Sequence, residues 1–321
     1  MKPNKRQDLA ALVDELTIRR TRQSLRLFVP WAWPSLEPGT VFQANWHIAL
    51  ICEYLEAVTA GEVLRLVINI PPRYMKSLLV SVLWPCWEWY RQPSARYIFS
   101  SYAEPLASHH SLSRRRLIRS RPYQRFAPDV HLTKDQQEKL EFHTTKGGIM
   151  VATSTGGSIT GKGGTRLIID DPHNPTQAES DTQRQQALDF YRYTLSTRLD
   201  DPKRDAIVVV MQRLHTRDLT AVCLEQGFEH CVCRRWRHVI PPSRFRGQAG
   251  RSFEHSIRRS GPSGRVWANW SSSGTRLGVT GSPASISSLR CPARAGCSSP
   301  SGGGSGINSQ RVLTISPCRG T

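Results

Sequence analysis

The chain has 321 residues, with 44 Lys and Arg against 25 Asp and Glu, a formal net charge of +19. It shows no secretory leader and no apolar run near the roughly 20 residues of a membrane span, so a soluble, cytoplasmic protein without a membrane partner is expected. The charge invites a nucleic-acid partner, but it is uneven: up to His230 there are 30 Lys and Arg against 24 acids, and from Cys231 onward 14 Arg, no Lys and the single acid Glu254.

In chain order, residues 1–28 place Leu9, Leu12, Val13 and Leu16 at helical spacing in a polar, basic background, which predicts a helical lead-in. Residues 28–42 are expected to form a loop, because Pro30, Pro34 and Pro38 interrupt any regular element. Helical spacing returns from Trp46 to Val58 and stops near Gly61. Five β-rich runs follow, at 64–70, 96–101, 149–153, 166–170 and 206–212, most of them separated by helical stretches near 77–91, 103–120 and 177–199. Near-continuous apolar strands alternating with helices predict an α/β fold with a mostly parallel sheet covered on both faces. A ligand then belongs at the carboxyl ends of the strands. Residues 129–148 are less regular and predict a β-excursion, and no internal repeat is present.

The chain divides into a lead-in over 1–45, an α/β domain over 46–230 and a tail over 231–321. That tail is rich in Ser, Gly, Pro and Arg, has no periodicity, and carries too little apolar surface to offset its ordering entropy, so disorder is expected. Five of the eight cysteines lie in it, at 231, 233, 291, 297 and 318, without the spacing of a zinc site.

The chemistry is carried by two strand ends. LRLVINIPPRYMKS, residues 64–77, runs from a strand into a Pro-Pro-Arg turn ending in Lys76-Ser77, the layout of a phosphate-gripping loop. The usual pattern G-x-x-x-x-G-K-[ST] has Ile70 and Met75 at its glycine positions. Alone, this segment reads equally well as an ordinary strand-to-helix turn. RLIIDDP, residues 166–172, ends a second buried strand in Asp170 and Asp171, a costly placement unless a cation or hydrogen bonds compensate. Its bland alternative is an Asp-Asp-Pro turn capping a helix. Together, in this order, the two point to an ATPase: Asp170 for Mg2+ and Asp171 to orient the attacking water.

Further segments occur in a set order: NWHI with CEYLEAVT, then INIPPRYMKSLLVSVLWPCWEW, FSSYAEPLA, GGSITGKGG, LIIDDPHNPTQAESD, STRLDDP, IVVVMQRLHTRDLT and LEQGFEH. From about Phe28 to about His230 this series resembles the ATPase half of tailed-phage terminase large subunits, the DNA-packaging motors. The resemblance implies a RecA-like P-loop NTPase domain using ATP and Mg2+, in which PPR-x-x-KS is a variant Walker A loop. Lys76 would then contact the β- and γ-phosphates, Ser77 would ligate Mg2+, and Arg73 would sense or stabilise the γ-phosphate. Asp170 matches the metal-binding aspartate. Asp171 stands where such motors usually carry Glu, one methylene longer.

By the same resemblance Gln43 is a candidate reader of adenine, or else a surface polar residue. Gln212 and His215 fall in the segment that couples hydrolysis to movement, although His215 reads equally as a loop histidine capping a helix. Lys162 lies in a glycine-rich segment that could approach DNA phosphate or a neighbouring subunit's nucleotide, or serve as a flexible connector. Arg114, Arg115, Arg116, Arg119 and Arg121 form either a basic patch tracking the DNA backbone or a solvated helix face. Implied partners are double-stranded DNA, the small terminase subunit, the portal and further copies in a ring, in a bacterial host cell.

Such subunits normally continue into a two-metal nuclease, which one acidic residue after Glu229 cannot build. The expectation is therefore a truncated motor whose tail is a frameshift product or a disordered DNA-binding arm. The alternative is an inactive prophage remnant that binds nucleotide or DNA without productive hydrolysis.

Overall fold

In the computed structural model the described residues are 5–159, 161–176 and 178–233, all within the first of two units, 1–262. The tail from residue 234, with the expectations of disorder and frameshift placed on it, lies outside them, as does the second unit. The elements in order are α1 (Lys5–Gln23), α2 (Leu25–Leu36), α3 (Trp46–Thr59), β1 (Arg65–Asn69), α4 (Lys76–Leu78), a π-turn (Leu79–Leu83), α5 (Trp84–Arg91) and β2 (Arg96–Ser101). Then come α6 (Glu104–Arg119), α7 (Arg121–Phe126), β3 (Leu132–Gln137), β4 (Glu141–Thr144), β5 (Ile149–Ser154) and β6 (Arg166–Asp170). The described chain closes with α8 (Asp181–Asp189), a second π-turn (Phe190–Leu195), a 3-10 turn (Ser196–Arg198), β7 (Ala206–Met211), α9 (Leu219–Glu225) and β8 (Glu229–Val232).

The strands form one sheet in the order β3-β4-β5-β2-β6-β7-β1-β8. Pairing is parallel from β5 through β8 and antiparallel for β3 with β4 and β4 with β5. All five predicted strands are present, and the irregular stretch 129–148 is the antiparallel hairpin. Strand alternation sorts the core onto two faces. Leu66, Ile68, Ile168, Val208 and Val210 pack with α2, α3, α5, α6 and α7, whereas Val67, Leu167, Ile169, Ile207 and Val209 pack with the segment 188–199 and α9. Ordered structure runs past His230, since Cys231 and Cys233 are buried and the Cys233 amide donates to the Asn69 carbonyl at 2.8 Å.

The loop expected over 28–42 is corrected: its first part belongs to α2, with Pro30 and Pro34 inside the helix. Leu25, Phe28, Val29, Ala32 and Leu36 are buried along one stripe, while both prolines are exposed on the opposite side. Burying each large side chain stabilises by about 1.5–3 kcal/mol, which together offsets a cost of about 3 kcal/mol per interior proline. The helix start is also held from outside, by Glu56 of α3. Its Oε1 accepts from the Leu25 amide at 2.6 Å and the Ser24 hydroxyl at 3.1 Å.

The helical run from Lys76 to Arg91 opens with Lys76 and Ser77, and Pro85 shapes it. Without an amide, Pro85 cannot donate to the carbonyl one turn back, at Ser81. Arg114 of α6 fills that vacancy, donating from Nη1 to the Ser81 carbonyl, with its guanidinium 3.6 Å from the centroid of the Phe99 ring. Burial pushes its pKa down to about 9. Arg114 is therefore an internal brace, and its expected DNA contact is corrected: it is 0% exposed. Arg114→Met should leave the Ser81 carbonyl unpaired and cost about 1–3 kcal/mol, read as a lower urea midpoint at unchanged m-value.

Candidate nucleotide-binding site

β1 ends at Asn69, and the chain turns through Ile70 to Met75 into α4. Arg73 (φ 68°) and Met75 (φ 61°) are left-handed, as is Asp171 (φ 47°) at the end of β6. These are the only non-glycine residues with positive φ among the described residues. Each such residue costs on the order of 1–3 kcal/mol, and strain of this kind collects at functional sites. Met75 thus adopts the backbone usually reserved for the glycine that the loop pattern lacks. The amides of Arg73, Tyr74 and Met75 donate to no other protein group among the described residues, leaving them free for an anion.

The parallel register brings the two strand ends together. Lys76 Nζ lies 2.5 Å from Asp171 Oδ2, and Ser77 Oγ donates to Asp170 Oδ1 at 2.9 Å. Asp171 Oδ1 also accepts from the Gln212 amide at 3.3 Å, and the Asp171 carbonyl accepts from the Tyr102 amide at 3.1 Å. Burial raises the pKa of Asp170, opposed by hydrogen bonds from Ser81 and Ser77 and by Lys76. Burial and the neighbouring Asp170 raise that of Asp171, opposed by Lys76. The result is a compact group of one ammonium, one hydroxyl and two carboxylates.

Sequence reasoning missed two residues here. Ser81 Oγ donates to Asp170 Oδ2 at 2.8 Å, and His110 Nδ1 of α6 lies 3.7 Å from the same oxygen. Burial, with Arg114 and other cations nearby, pushes the His110 pKa down to about 3, so the ring is neutral at pH 7. The only sequence signal for Ser81 is its spacing of four from Ser77; His110 has none.

The remaining candidates are scattered. Arg73 is exposed on the loop, and Gln43 is exposed between α2 and α3, in none of the hydrogen bonds or ion pairs found among the described residues. The contact from α3 to the loop comes instead from His47, whose ring centroid is 5.2 Å from that of Tyr74. Gln212 meets the site through its backbone. His215 accepts the Arg217 amide on Nδ1 at 3.0 Å, in a turn gathered by the buried Asp218, which accepts from Arg213 and the Leu214 amide. Lys162 is held by Glu141 at 2.8 and 2.9 Å. Arg116 is exposed, and Arg115 is half-buried with Nη1 donating to the Glu138 carbonyl at 3.3 Å.

Among the described residues no group of three or more His, Cys, Asp or Glu could cage a metal. Mg2+ needs no such cage, because it keeps waters and takes one or two protein oxygens beside substrate phosphates. The Ser77 hydroxyl and Asp170 carboxylate fit that donor set. No helix among the described residues is long and apolar enough to cross a membrane.

No family model matches the sequence, and no curated protein does. Among solved structures, the chain is similar to the HK97 bacteriophage large terminase in its crystal structure, at 12% identity and a TM-score of 0.44, over 75% of this chain and 52% of that one. The chain thus spans about half the length of that protein.

Proposed function

We propose that this chain binds ATP with Mg2+ between the Arg73–Ser77 loop and Asp170–Asp171, and hydrolyses it as the ATPase domain of a terminase-type motor that moves double-stranded DNA. The observation that carries this reading is the direct contact of Lys76 with Asp171 and of Ser77 with Asp170, which joins the turn after β1 to the end of β6. Small-subunit, portal and ring-forming partners belong to the same proposal through the ordered sequence resemblance.

In this mechanism the Lys76 ammonium and the free loop amides hold phosphate oxygens, and Arg73 reaches them from the rim. Ser77 and Asp170 would hold Mg2+, which when bound would supply positive charge beside the phosphate oxygens. Asp171 is paired with Lys76 in the structure; a phosphate that draws the ammonium away frees the carboxylate to orient water. The Gln212 amide on Asp171 links this step to the Arg213–His215 turn.

A second reading, nucleotide binding without productive hydrolysis, is favoured by the short side chain of Asp171, which sits 2.5 Å from Lys76. Phosphate release measured with and without duplex DNA separates the two. The motor reading expects turnover in the wild type and a loss of about 10²–10⁴-fold in Asp171→Asn, the range for removing a positioned base. Nucleotide binding with no turnover in either protein would leave the second reading standing.

A further inference from the structure

We propose that Ser81 is a positioning residue for the Asp170 carboxylate, fixing the orientation in which that group, beside Ser77, meets the metal of a Mg2+–nucleotide complex. The inference rests on the nucleotide reading given above. Ser77 and Ser81 are four residues apart on one helical run, so their hydroxyls share a face. That face meets the end of β6, where Ser77 binds Oδ1 at 2.9 Å and Ser81 binds Oδ2 at 2.8 Å.

A carboxylate on a single methylene has a broad terminal torsion and needs outside support to hold one orientation. His110, 3.7 Å from Oδ2, is beyond hydrogen-bond reach, and Asp171 faces Lys76 instead. Ser77 must also serve the metal, which leaves Ser81 as the partner of Asp170 with no second duty. Its own placement is set from behind: the amide missing at Pro85 opens the Ser81 carbonyl to Arg114, and that bond anchors the backbone carrying the hydroxyl. Both Ser81 and Asp170 are buried, so water does not substitute for the lost donor.

Removing a partner that orients a metal ligand typically weakens metal binding by about 10–100-fold. The test titrates Mn2+ into the full-length chain saturated with ADP, counting free Mn2+ by its electron paramagnetic resonance signal. A second titration measures ADP affinity without metal, and urea unfolding without ligand checks the fold. Ser81→Ala is expected to weaken Mn2+ binding by that factor and to leave metal-free ADP affinity unchanged. Wild-type Mn2+ affinity in the variant overturns the proposal, and so does an equal loss of metal-free ADP binding, which marks a general structural role. A wild-type chain that binds neither ADP nor Mn2+ overturns the nucleotide reading itself, and the positioning role with it.

Discussion

Lys76→Ala is expected to lower ATP hydrolysis by on the order of 10²–10³-fold, the scale for deleting one preorganised charge-stabilising donor. Two effects act in the same direction. The first is loss of the ammonium that would hold phosphate oxygens in a site where it is buried and therefore weakly screened. The second concerns the acids: burial already raises the pKa values of Asp170 and Asp171, and Lys76 opposes that rise in both. Without the ammonium that opposition is lost and the charged form of both carboxylates is less favoured. Asp171 then orients water less well. The measurement is phosphate release at saturating ATP and Mg2+, paired with an unfolding curve to show that the variant is folded. Turnover equal to wild type in a folded Lys76→Ala chain would sink the nucleotide site proposed here.

The largest stability effect is expected away from that site, at Arg166. Glu88 of α5 is 0% exposed, and its Oε1 accepts from Arg166 Nε at 3.1 Å and Nη2 at 2.9 Å, while Oε2 accepts from the Tyr97 hydroxyl. This ionic cluster pins α5 to the start of β6. Arg166→Met removes the cation and strands the carboxylate, at a cost of about 3–5 kcal/mol. For a domain of this size that lowers the melting temperature by roughly 6–20 °C. Joining it to Glu88→Met should restore much of the loss, because the buried charge is then gone and two apolar side chains replace the pair. A single variant that melts with the wild type, or a double variant no better than the single, would show that the cluster is not held as described.

Much of the sheet was legible in the sequence. The runs at 64–70, 96–101, 149–153, 166–170 and 206–212 have apolar, β-rich centres because parallel strands bury both faces. β8 escaped because Glu229 and His230 open it and it lies at the edge of the sheet, where only one side needs to be apolar. α2 escaped for a different reason. A proline rule is local, whereas the stripe Leu25-Phe28-Val29-Ala32-Leu36 and the support from Glu56 become decisive only when α3 and the sheet are in place. The arginines of α6 show the same divide, since nothing in Ser-Arg-Arg-Arg says that the first points inward to a carbonyl orphaned by a proline 29 residues earlier.

The residues by themselves determined five strands, that Lys76-Ser77 follow the turn after one of them and Asp170-Asp171 close another, and hence that ammonium, hydroxyl and carboxylates belong at the carboxyl ends of the strands. These follow from short-range chemistry: apolar runs, turn residues and the alternation of side chains. Only the tertiary structure decided that Met75 takes a glycine-like backbone, that Ser81 and His110 close around Asp170, and that Arg114 and Glu88 are internal. The contacts of Ser81, Arg114 and Glu88 depend on groups distant in sequence meeting at buried polar atoms. The pairing is settled when the helices pack on the sheet and leave no water to bond in their place.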